Sequence, residues 1–562
     1  MGRPSRTRAK KGPSRLHGPA SATSRARHKR IGGVKVLVTG GTGVVGRATV
    51  DALLARGHDV RLFSRKAADD VAEWAHRVEA FPGDVSNEVE VREAADGCEA
   101  VLHLTAIIAE APPESTFEKI NVSGTRNLVR EAERAGVRRF VYVSSLGADR
   151  GESPYHRSKL QGEEVARTFD GNWIILRLGN VYGRGDEQLS LILKMVRTLP
   201  AVPVIAGGDR PFQPIWAGDA GEVLAVAAER DDPAGRVLEV AGPEQTTFDD
   251  VVERFARLTK RDPIRLPVPV PLASIALRAA NALGADLPLD SGQLTMLGEG
   301  NVVTSADGNA LTTVFDLTGT KLDKGLAMLA DSQPELLPEE GIGALRRKRF
   351  WADIEGSRLS PELLFRHFVS HFADCTPWHV NLEAEPGTPK IPELGAVLTI
   401  SLPLRGNVQI RIVELEERRM TVCTVEGHPL AGAVRFLAEA RGPNVRFEVQ
   451  VYDRAANLAD WLVMNPIGAR LQNATWNETV ERVLKESGGR ASRGVEHEFT
   501  KLDADQAREV NDWLEGLVVA QHQADHELRR DTKPADSAPN DDGGSQQSYI
   551  EQRERTREAD GR

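Results

Sequence analysis

A glycine-rich turn near the start of the chain places the strongest constraint on its fold. Residues 39–46 read Thr-Gly-Gly-Thr-Gly-Val-Val-Gly; a β-branched run at 34–39 leads into them and a helical pattern of apolar residues follows at 45–54. Glycines between a buried strand and a helix let the backbone approach a pyrophosphate, whose charge then lies at the positive end of the helix. A second apolar run follows at 60–63. The turn therefore predicts a dinucleotide-binding βαβ unit.

The rest of the first half continues this alternation. Strand candidates at 100–104, 139–143 and 173–176 are separated by helical stretches such as 124–135 and 158–168. Strands that alternate with helices indicate a parallel sheet, so we expect an α/β, Rossmann-type doubly wound fold. Beyond Val181 the alternation of strands and helices becomes less regular. The helical stretches at 188–198, 247–259 and 271–283 are typical of a substrate-side subdomain.

The chain of 562 residues is long enough for more than one folded unit. A helix with Ser360 and Pro361 at its start, several β-like runs between 396 and 452, and a helical stretch at 468–486 predict a second, α+β domain. The expected organisation is a disordered basic tail at 1–32, an NAD(P)-binding domain at 33–330, a linker at 331–348, the α+β domain at 349–522 and a disordered acidic tail at 523–562.

Charge and composition narrow the functional classes. Residues 1–30 hold ten Lys and Arg and no acid, whereas the whole chain has a net charge of −9, so nucleic-acid binding is expected only through the basic tail, if at all. Three scattered cysteines give no disulfide or zinc pattern. The sequence has neither a signal peptide nor an apolar run long enough for a membrane helix, and it predicts a cytoplasmic protein.

The end of the second strand bears on which dinucleotide is bound. The residues there are Phe63-Ser64-Arg65-Lys66. An acid at this point would hold the ribose hydroxyls of NAD, whereas arginine accommodates a 2′-phosphate, so Arg65, with Ser64 beside it, favours NADP and leaves NAD possible. A solvated basic loop is the alternative. Asp84 follows the next apolar run, where it could reach the adenine edge or form an ordinary Asp turn.

A candidate catalytic set follows the strand at 139–143. Ser145 ends this region, and Tyr155 and Lys159 lie four residues apart, so that on a helix they share one face. A neighbouring ammonium favours the phenolate form of tyrosine. Tyr155 could then exchange a proton with a substrate oxygen during hydride transfer, while Ser145 binds that oxygen and Lys159 holds the nicotinamide ribose.

With these motifs, residues 34–330 resemble an extended or atypical short-chain dehydrogenase/reductase of the NAD-dependent epimerase/dehydratase type. The resemblance is carried by TGGTGVVG at 39–46, Gly83-Asp84, Leu104-Thr105-Ala106, the Asn121–Asn127 segment, Ser145, YHRSK at 155–159 and the 176–183 segment. Phe212–Trp216 and Asp219 resemble the branch that includes the NADPH-binding accessory subunit of respiratory complex I.

The resemblance implies a set of site residues and a function. The implied nucleotide-binding residues are Gly40, Thr42, Gly43, Val44, Gly46, Ser64, Arg65, Asp84, Val85, Leu104, Ala106, Tyr155, Lys159 and Val181. The implied function is an NADP-dependent oxidoreductase or epimerase-like enzyme that acts by hydride transfer on a small, apolar substrate. The alternative is a non-catalytic NAD(P)H-binding accessory or sensor protein, because this branch has members of that kind.

The second half resembles, more faintly, the SRPBCC or START-like helix-grip proteins, through its element order and Thr424–Pro429. Five of the eight tryptophans fall there, which suits either an aromatic ligand pocket or ordinary packing. His367, His371, Cys375 and His379 recur every fourth residue, but Pro377 should interrupt a helix through them. We therefore predict no metal site.

Overall fold

The computed structural model describes residues 33–74, 77–199, 201–205, 208–232, 234–268, 301–375, 391–402, 406–456 and 469–531. The basic tail, the helix expected at 271–283, His379 and the tail beyond residue 531 lie outside the described residues. Among those that are described, no helix is long and apolar enough to cross a membrane.

The first half is built on parallel strands. Its strands are β1 (Lys35–Thr39), β2 (Asp59–Ser64), β3 (Val78–Pro82), β4 (Ala100–His103), β5 (Arg139–Ser145), β6 (Asn172–Leu178), β7 (Val181–Tyr182), β8 (Ala201–Ile205), β9 (Ile215–Trp216), β10 (Arg236–Val240) and β11 (Ile264–Val268). Seven of them form one sheet in the order β10-β6-β5-β4-β1-β2-β3, and two small pairs, β7 with β9 and β8 with β11, stand beside it.

Helices connect these strands and cover both faces of the sheet. They are α1 (Val44–Ala55), α2 (Ala67–Asp70), α3 (Glu88–Val91), α4 (Gly124–Arg134), α5 (Pro154–Ala166), α6 (Gln188–Thr198), α7 (Ala217–Glu229), α8 (Phe248–Thr259), α9 (Ala310–Thr313) and α10 (Leu322–Asp331). The π-helical turn Glu118–Ser123 leads directly into α4. The expected Rossmann-type fold is confirmed.

The strand order explains where a ligand can bind. β1 pairs in parallel with both β2 and β4, with Val36 opposite Val60 on one side and Ala100 on the other. The chain winds outward from β1 in one direction through β3 and then returns to wind in the other direction from β4. The crevice at the carboxyl ends of strands where the winding reverses is the usual ligand site of such sheets.

The second half forms an antiparallel sheet with its own core. Its strands are β12 (Ile342–Ile354), β13 (Val397–Leu402), β14 (Gly406–Glu416), β15 (Arg419–Thr424), β16 (Leu430–Arg441), β17 (Asn444–Ala455) and β18 (Glu496–Lys501), in the order β13-β14-β15-β16-β17-β12-β18. Its helices are α11 (Pro361–Ser370), α12 (Phe372–Cys375), α13 (Ala469–Glu486) and α14 (Ala504–Asp531). The α+β class expected for this half is confirmed.

Aromatic side chains fill the space between this sheet and its helices. Phe368 of α11 contacts Phe436 and Phe447 of the sheet at ring-centroid distances of 5.1 and 5.0 Å. Trp476 of α13 lies edge-on to Phe436 at 6.0 Å. On the opposite face, Trp513 of α14 packs against Tyr452 at 5.6 Å. These tryptophans therefore have packing roles; Trp378 and Trp461 lie outside the described residues.

Two boundaries differ from the sequence expectation. β12 begins at Ile342, inside the stretch expected to be a linker, because its hydrogen bonds to β17 and β18 extend through the basic run at 346–349. Lys348 in this run is buried and lies 2.6 Å from Asp453 of β17. The charged composition of the run suggested a solvent-exposed linker instead. At the other end, α14 continues to Asp531, beyond the expected start of the acidic tail.

The two halves contact each other through buried polar groups. Arg197 of α6 donates to the side chain of Gln409 on β14 at 3.0 Å, and both are buried. Gln333, in the connecting segment, donates to Ser190 of α6 at 3.1 Å. The second sheet is therefore joined to the first half through α6, and α14 of the second half also contacts the turn Val71–Trp74 that precedes β3.

Candidate active site

The glycine turn has a shape that only glycine permits at two positions. Gly40 has φ +70°, and a Cβ there would lie 2.9 Å from the backbone nitrogen of Thr105. A Cβ on Gly46 would lie 2.1 Å from the carbonyl oxygen of Gly40. Thus Gly40 allows the left-handed turn and Gly46 allows α1 to pack against it.

Gly43 is different, because it faces open space. It precedes α1 as its N-cap residue, is exposed, and a Cβ there would meet only the Gly40 carbonyl at 3.6 Å. No side chain caps this end of α1, and its first turn contains no acidic residue. Thr42 and Val44 flank Gly43 on the same turn. The N-terminus of a twelve-residue helix, bordered by an open glycine, can accept a pyrophosphate, so the residues present fit a dinucleotide.

The residues expected to select the nucleotide lie at the end of β2. Arg65 and Lys66 are exposed in the turn before α2. Ser64 is half-buried, and its hydroxyl donates to the carboxylate of Asp70 at 2.5 Å. A cationic side chain is thus available for a 2′-phosphate, but a carboxylate stands beside the neighbouring hydroxyl.

Asp84 and Val85 follow β3 and lie in a tight turn. The Asp84 carboxylate accepts hydrogen bonds from both the backbone nitrogen and the hydroxyl of Ser86, each at 2.8 Å. Val85 is buried, and its carbonyl accepts from Asn127 at 3.0 Å. One oxygen of Asp84 is therefore occupied by an ordinary Asp turn, the alternative left open by the sequence.

The remaining expected nucleotide-binding residues are at the same edge of the sheet. The nitrogen of Leu104, which follows β4, donates to the Thr39 carbonyl at 3.3 Å, and Ala106 follows two residues later. Val181 forms the short strand β7 with Tyr182 and packs against the core that contains β1 and α1. Leu104 and Ala106 thus follow the carboxyl end of β4, beside β1, whereas Val181 follows the end of β6.

The candidate catalytic residues come from β5 and α5. Ser145 is the last residue of β5, and Tyr155 is the second residue of α5, whose start is fixed by the Ser153 side chain accepting from the His156 nitrogen. Burial raises the pKa of the Tyr155 phenol to about 12, while a hydrogen bond with Ser145 acts in the opposite direction. At neutral pH the phenol therefore carries its proton.

Lys159 is buried one turn further along α5. Its ammonium donates to the carbonyl of Val143 at 2.7 Å and lies 4.5 Å from the centre of the Tyr142 ring. Burial lowers the pKa of Lys159 to about 7, and the carboxylate of Glu163 opposes that shift. The ammonium is thus held behind the strand that carries Ser145, rather than lying free in the crevice.

A chain of buried hydrogen bonds connects the glycine turn to the catalytic helix. Thr39 contacts one ring nitrogen of His103 at 2.8 Å, and Thr125 contacts the other at 3.0 Å. Thr125 also donates to the carbonyl of Asn121 at 2.6 Å. Asn121 in turn donates to Ser158 of α5 at 2.9 Å. This chain joins β1, β4, the π-helical turn and α5 into one support for the crevice.

The sequence analysis did not assign roles to these supporting residues. His103 was hidden in an apolar run, and burial lowers its pKa to about 3, so its ring is neutral and suited to the two threonine hydroxyls. Asn121 could have been noticed in the sequence, because it is a polar residue near the start of the helix that follows a strand. It lies in the π-helical turn, and such turns are frequent at functional sites.

The two described histidines of the four-residue series in the second half both have side-chain partners. His367 contacts Glu486 at 2.7 Å and stacks on His371 at 4.2 Å. The parts of the chain described here contain no cluster of three or more His, Cys, Asp or Glu side chains that could hold a metal ion. α11 ends at Ser370 and α12 at Cys375, so the regular four-residue spacing does not correspond to one continuous helix.

Comparison with known proteins agrees with this geometry. A profile of the NAD dependent epimerase/dehydratase family matches residues 36–241. "Ceramide reductase" of Caulobacter vibrioides is 32% identical over 248 residues, which are 43% of this chain and 76% of that protein. The chain belongs to the NAD dependent epimerase/dehydratase family. The match covers the part of the chain that contains the glycine turn, β5 and α5.

Two further relatives match this chain over different lengths. "Sterol demethylase protein B" of Methylococcus capsulatus is 44% identical over 114 residues, 20% of this chain and 34% of that protein. The rat mitochondrial "NADH dehydrogenase [ubiquinone] 1 alpha subcomplex subunit 9" is 28% identical over 265 residues, 45% of this chain and 69% of it. The chain therefore spans about a third of the first of these relatives and about two thirds of the second.

Proposed function

We propose that the protein is an NAD(P)-dependent oxidoreductase that reduces the carbonyl group of an apolar, lipid-like substrate. The observation that carries this proposal is the packing of α5, which holds Tyr155 and Lys159, against β5, which ends in Ser145, with the Lys159 ammonium bonded to the Val143 carbonyl of β5. The glycine turn that follows β1 lies one strand further away, across β4. Family membership supports nucleotide dependence, and family members named for acting on ceramide and sterols support the substrate class.

Each residue has a distinct part in the proposed reaction. The nicotinamide supplies the hydride when it is bound. Ser145 donates a hydrogen bond to the substrate oxygen, and Tyr155 delivers its proton to that oxygen as negative charge develops there. Burial raises the pKa of Tyr155 to about 12, so the phenol holds the proton that this step transfers.

We further propose that NADPH is preferred over NADH. Arg65 is exposed at the end of β2, where an arginine accommodates a 2′-phosphate, and no acidic side chain occupies positions 65 or 66. The Asp70 carboxylate on Ser64 opposes this preference, so the expected selectivity is moderate rather than absolute.

A test starts with the full-length protein and any nucleotide that co-purifies with it, identified by mass spectrometry. The absorbance of reduced nicotinamide is then followed with a long-chain ketone, a 3-ketosteroid and a quinone. We expect oxidation of NADPH by at least one lipid ketone in the wild type and a loss of 100-fold or more in Tyr155→Phe. If wild type and Tyr155→Phe oxidise NADPH equally, Tyr155 has no catalytic role.

A second candidate function is nucleotide binding without turnover. It is supported by the relative named as a subunit of NADH dehydrogenase and by the Lys159 ammonium, which hydrogen-bonds the Val143 carbonyl rather than lying in the crevice. Tight NADPH binding by both wild type and Tyr155→Phe, with no oxidation by any of the three carbonyl classes, would favour this candidate over the reductase.

A further inference from the structure

A buried carboxylate lies directly behind the candidate catalytic residues. Glu163 is four residues beyond Lys159 on α5, on the same helix face, and it is 0% exposed. A carboxylate removed from water in this way is strongly unfavourable unless it is paired and hydrogen-bonded. Its partners therefore indicate what it does.

Two of these partners come from neighbouring strands, and a third, Arg167 at the end of α5, lies 3.6 Å from the carboxylate. Ser144 of β5 donates to one carboxylate oxygen of Glu163 at 2.7 Å. Arg177 of β6 donates to the same oxygen at 2.8 Å and to the other at 2.9 Å, a bidentate pair. The Glu163 side chain thus ties α5, which carries Tyr155, to the strand that ends in Ser145.

The carboxylate of Glu163 also acts on Lys159, because its negative charge raises the pKa of the lysine against the effect of burial. The titratable groups that face Lys159 are Tyr155 and Glu163 on α5, Tyr142 on β5 and His103 on β4. Burial keeps both phenols protonated and the His103 ring neutral at neutral pH. Among these groups only Glu163 is an anion.

We propose that Glu163 is a positioning residue, which fixes α5 against β5 and β6 and supplies the charge that keeps the Lys159 side chain an ammonium ion. The inference rests on the proposed function for its purpose, since an ammonium at Lys159 is what the ribose and the Tyr155 phenol require. The electrostatic effect of Glu163 on the pKa of Lys159 can be measured without any enzymatic turnover.

The test measures the protonation of Lys159 directly. Full-length protein labelled with 13C at the lysine ε-carbon is titrated by NMR, with the Lys159 signal assigned by its absence in Lys159→Met. We expect a midpoint near pH 7 in the wild type, and one lower by at least one pH unit in Glu163→Gln, which keeps the shape and loses the charge. Glu163→Asp, which keeps the charge, should stay closer to the wild type.

A matched control separates charge from structure. Asp149 is the other carboxylate on Arg177, at 2.5 Å, but it is 42% exposed and is not among the groups that act on Lys159. Asp149→Asn should therefore leave the Lys159 midpoint unchanged. An equal midpoint in wild type and Glu163→Gln would overturn the proposal and leave Glu163 as a structural clamp only.

A second variant keeps the test decisive if Glu163→Gln does not fold. Glu163→Gln combined with Arg177→Met removes both buried charges, so no uncompensated guanidinium remains. The Lys159 midpoint should again fall, but by less than in Glu163→Gln because a cation is removed together with the anion. An unchanged midpoint in both variants would refute the coupling. The affinity for NADPH is measured by fluorescence quenching between pH 6 and 9. As the pH rises and Lys159 loses its proton, this affinity should begin to fall at a lower pH in either charge-removing variant than in the wild type.

Discussion

The guanidinium of Arg411 donates to the carboxylate of Glu335 where the two halves of the chain meet, and both side chains are buried. Arg411, on β14, also donates to the carbonyls of Asp331 and Gln333 at 3.0 Å each. His522 of α14 lies 3.3 Å from the same carboxylate, and Arg184, which follows β7, lies 3.7 Å from it. Glu335 therefore connects the segment after β7, the antiparallel sheet and the C-terminal helix.

Loss of the Glu335 charge should destabilise the protein in a pH-dependent manner. The hydrogen bond with His522 and the charges of Arg411 and Arg184 outweigh burial and lower the pKa of Glu335 from an ordinary 4.5 to about 2. Its stabilising effect is therefore fully present above pH 4.5 and is lost as the pH falls toward 2. Glu335→Gln should lower the apparent free energy of unfolding by about 3 kcal/mol at pH 7, measured by urea denaturation.

The control for this variant is Glu439→Gln. Glu439 pairs with Arg441 on the surface, at 3.2 Å, with both side chains about half exposed. Such a pair contributes little, so this change should stay within about 0.5 kcal/mol of the wild type. The difference between wild type and Glu335→Gln should shrink below pH 4.5; a constant difference across the whole range would contradict the charge-based explanation.

Replacement of the buried lysine should have the opposite effect on stability. Because burial lowers the pKa of Lys159 from 10.5 to about 7, the unfolded chain binds a proton more tightly there, and the folded state is penalised at and below pH 7. Lys159→Met should raise the free energy of unfolding at pH 7 by about 2–4 kcal/mol, while removing the side chain expected to hold the ribose.

The pH dependence of Lys159→Met provides its own control. The advantage of this variant should disappear as the pH rises from about 7 toward 10.5, where the lysine in the unfolded chain also loses its proton. Urea denaturation at pH 6, 7, 8, 9 and 10 follows this change. A variant that is less stable than the wild type at pH 7 would mean that the contacts of Lys159 with Val143 and Tyr142 outweigh the burial penalty.

The fold of the first half was accessible from the sequence because local signals and global topology agree there. Each buried parallel strand is a short apolar run, and the glycine turn identifies β1 and α1 at once. The supports of the site were less accessible. Glu163 and Arg177 are fourteen residues apart in sequence, and only the packing of α5 on β6 turns two ordinary surface-type residues into a buried pair.

The second half was harder for a related reason. The basic run at 346–349 has the composition of a solvated linker, yet it forms the middle of β12, where Lys348 is neutralised by Asp453 of β17 and Arg349 by Glu448. Those partners are about a hundred residues away along the chain. Charge composition alone cannot reveal them. The expected β-like runs included β17, one neighbour of β12, but not β18, the other.

The glycine turn allows structure and binding to be separated experimentally. In Gly46→Ala the new methyl group would lie 2.1 Å from the Gly40 carbonyl, so we expect a loss of about 2 kcal/mol or more in stability. In Gly43→Ala the nearest atom is 3.6 Å away and the backbone φ is −73°, so stability should be unchanged. The affinity of Gly43→Ala for NADPH should nevertheless fall at least tenfold, measured by fluorescence quenching.

The outcome of this pair distinguishes two roles for Gly43. A normal affinity in a stable Gly43→Ala protein would show that the pyrophosphate does not approach this residue, and the assignment of the crevice between β1 and β4 would have to be revised. Reduced stability in Gly43→Ala would instead show that the turn packs against further side chains, beyond those near the Gly40 carbonyl.

Two substitutions of opposite sign test how the nucleotide is selected. Arg65→Ala removes the cation expected at the 2′-phosphate and should weaken NADPH binding about tenfold, with little change for NADH. Asp70→Asn removes the carboxylate that accepts from Ser64 at 2.5 Å, and should strengthen NADPH binding by a few-fold. Dissociation constants for both nucleotides, measured at low and moderate salt, determine whether each change is electrostatic. Equal losses of NADPH and NADH affinity in Arg65→Ala would show that this side chain does not contact the 2′ position.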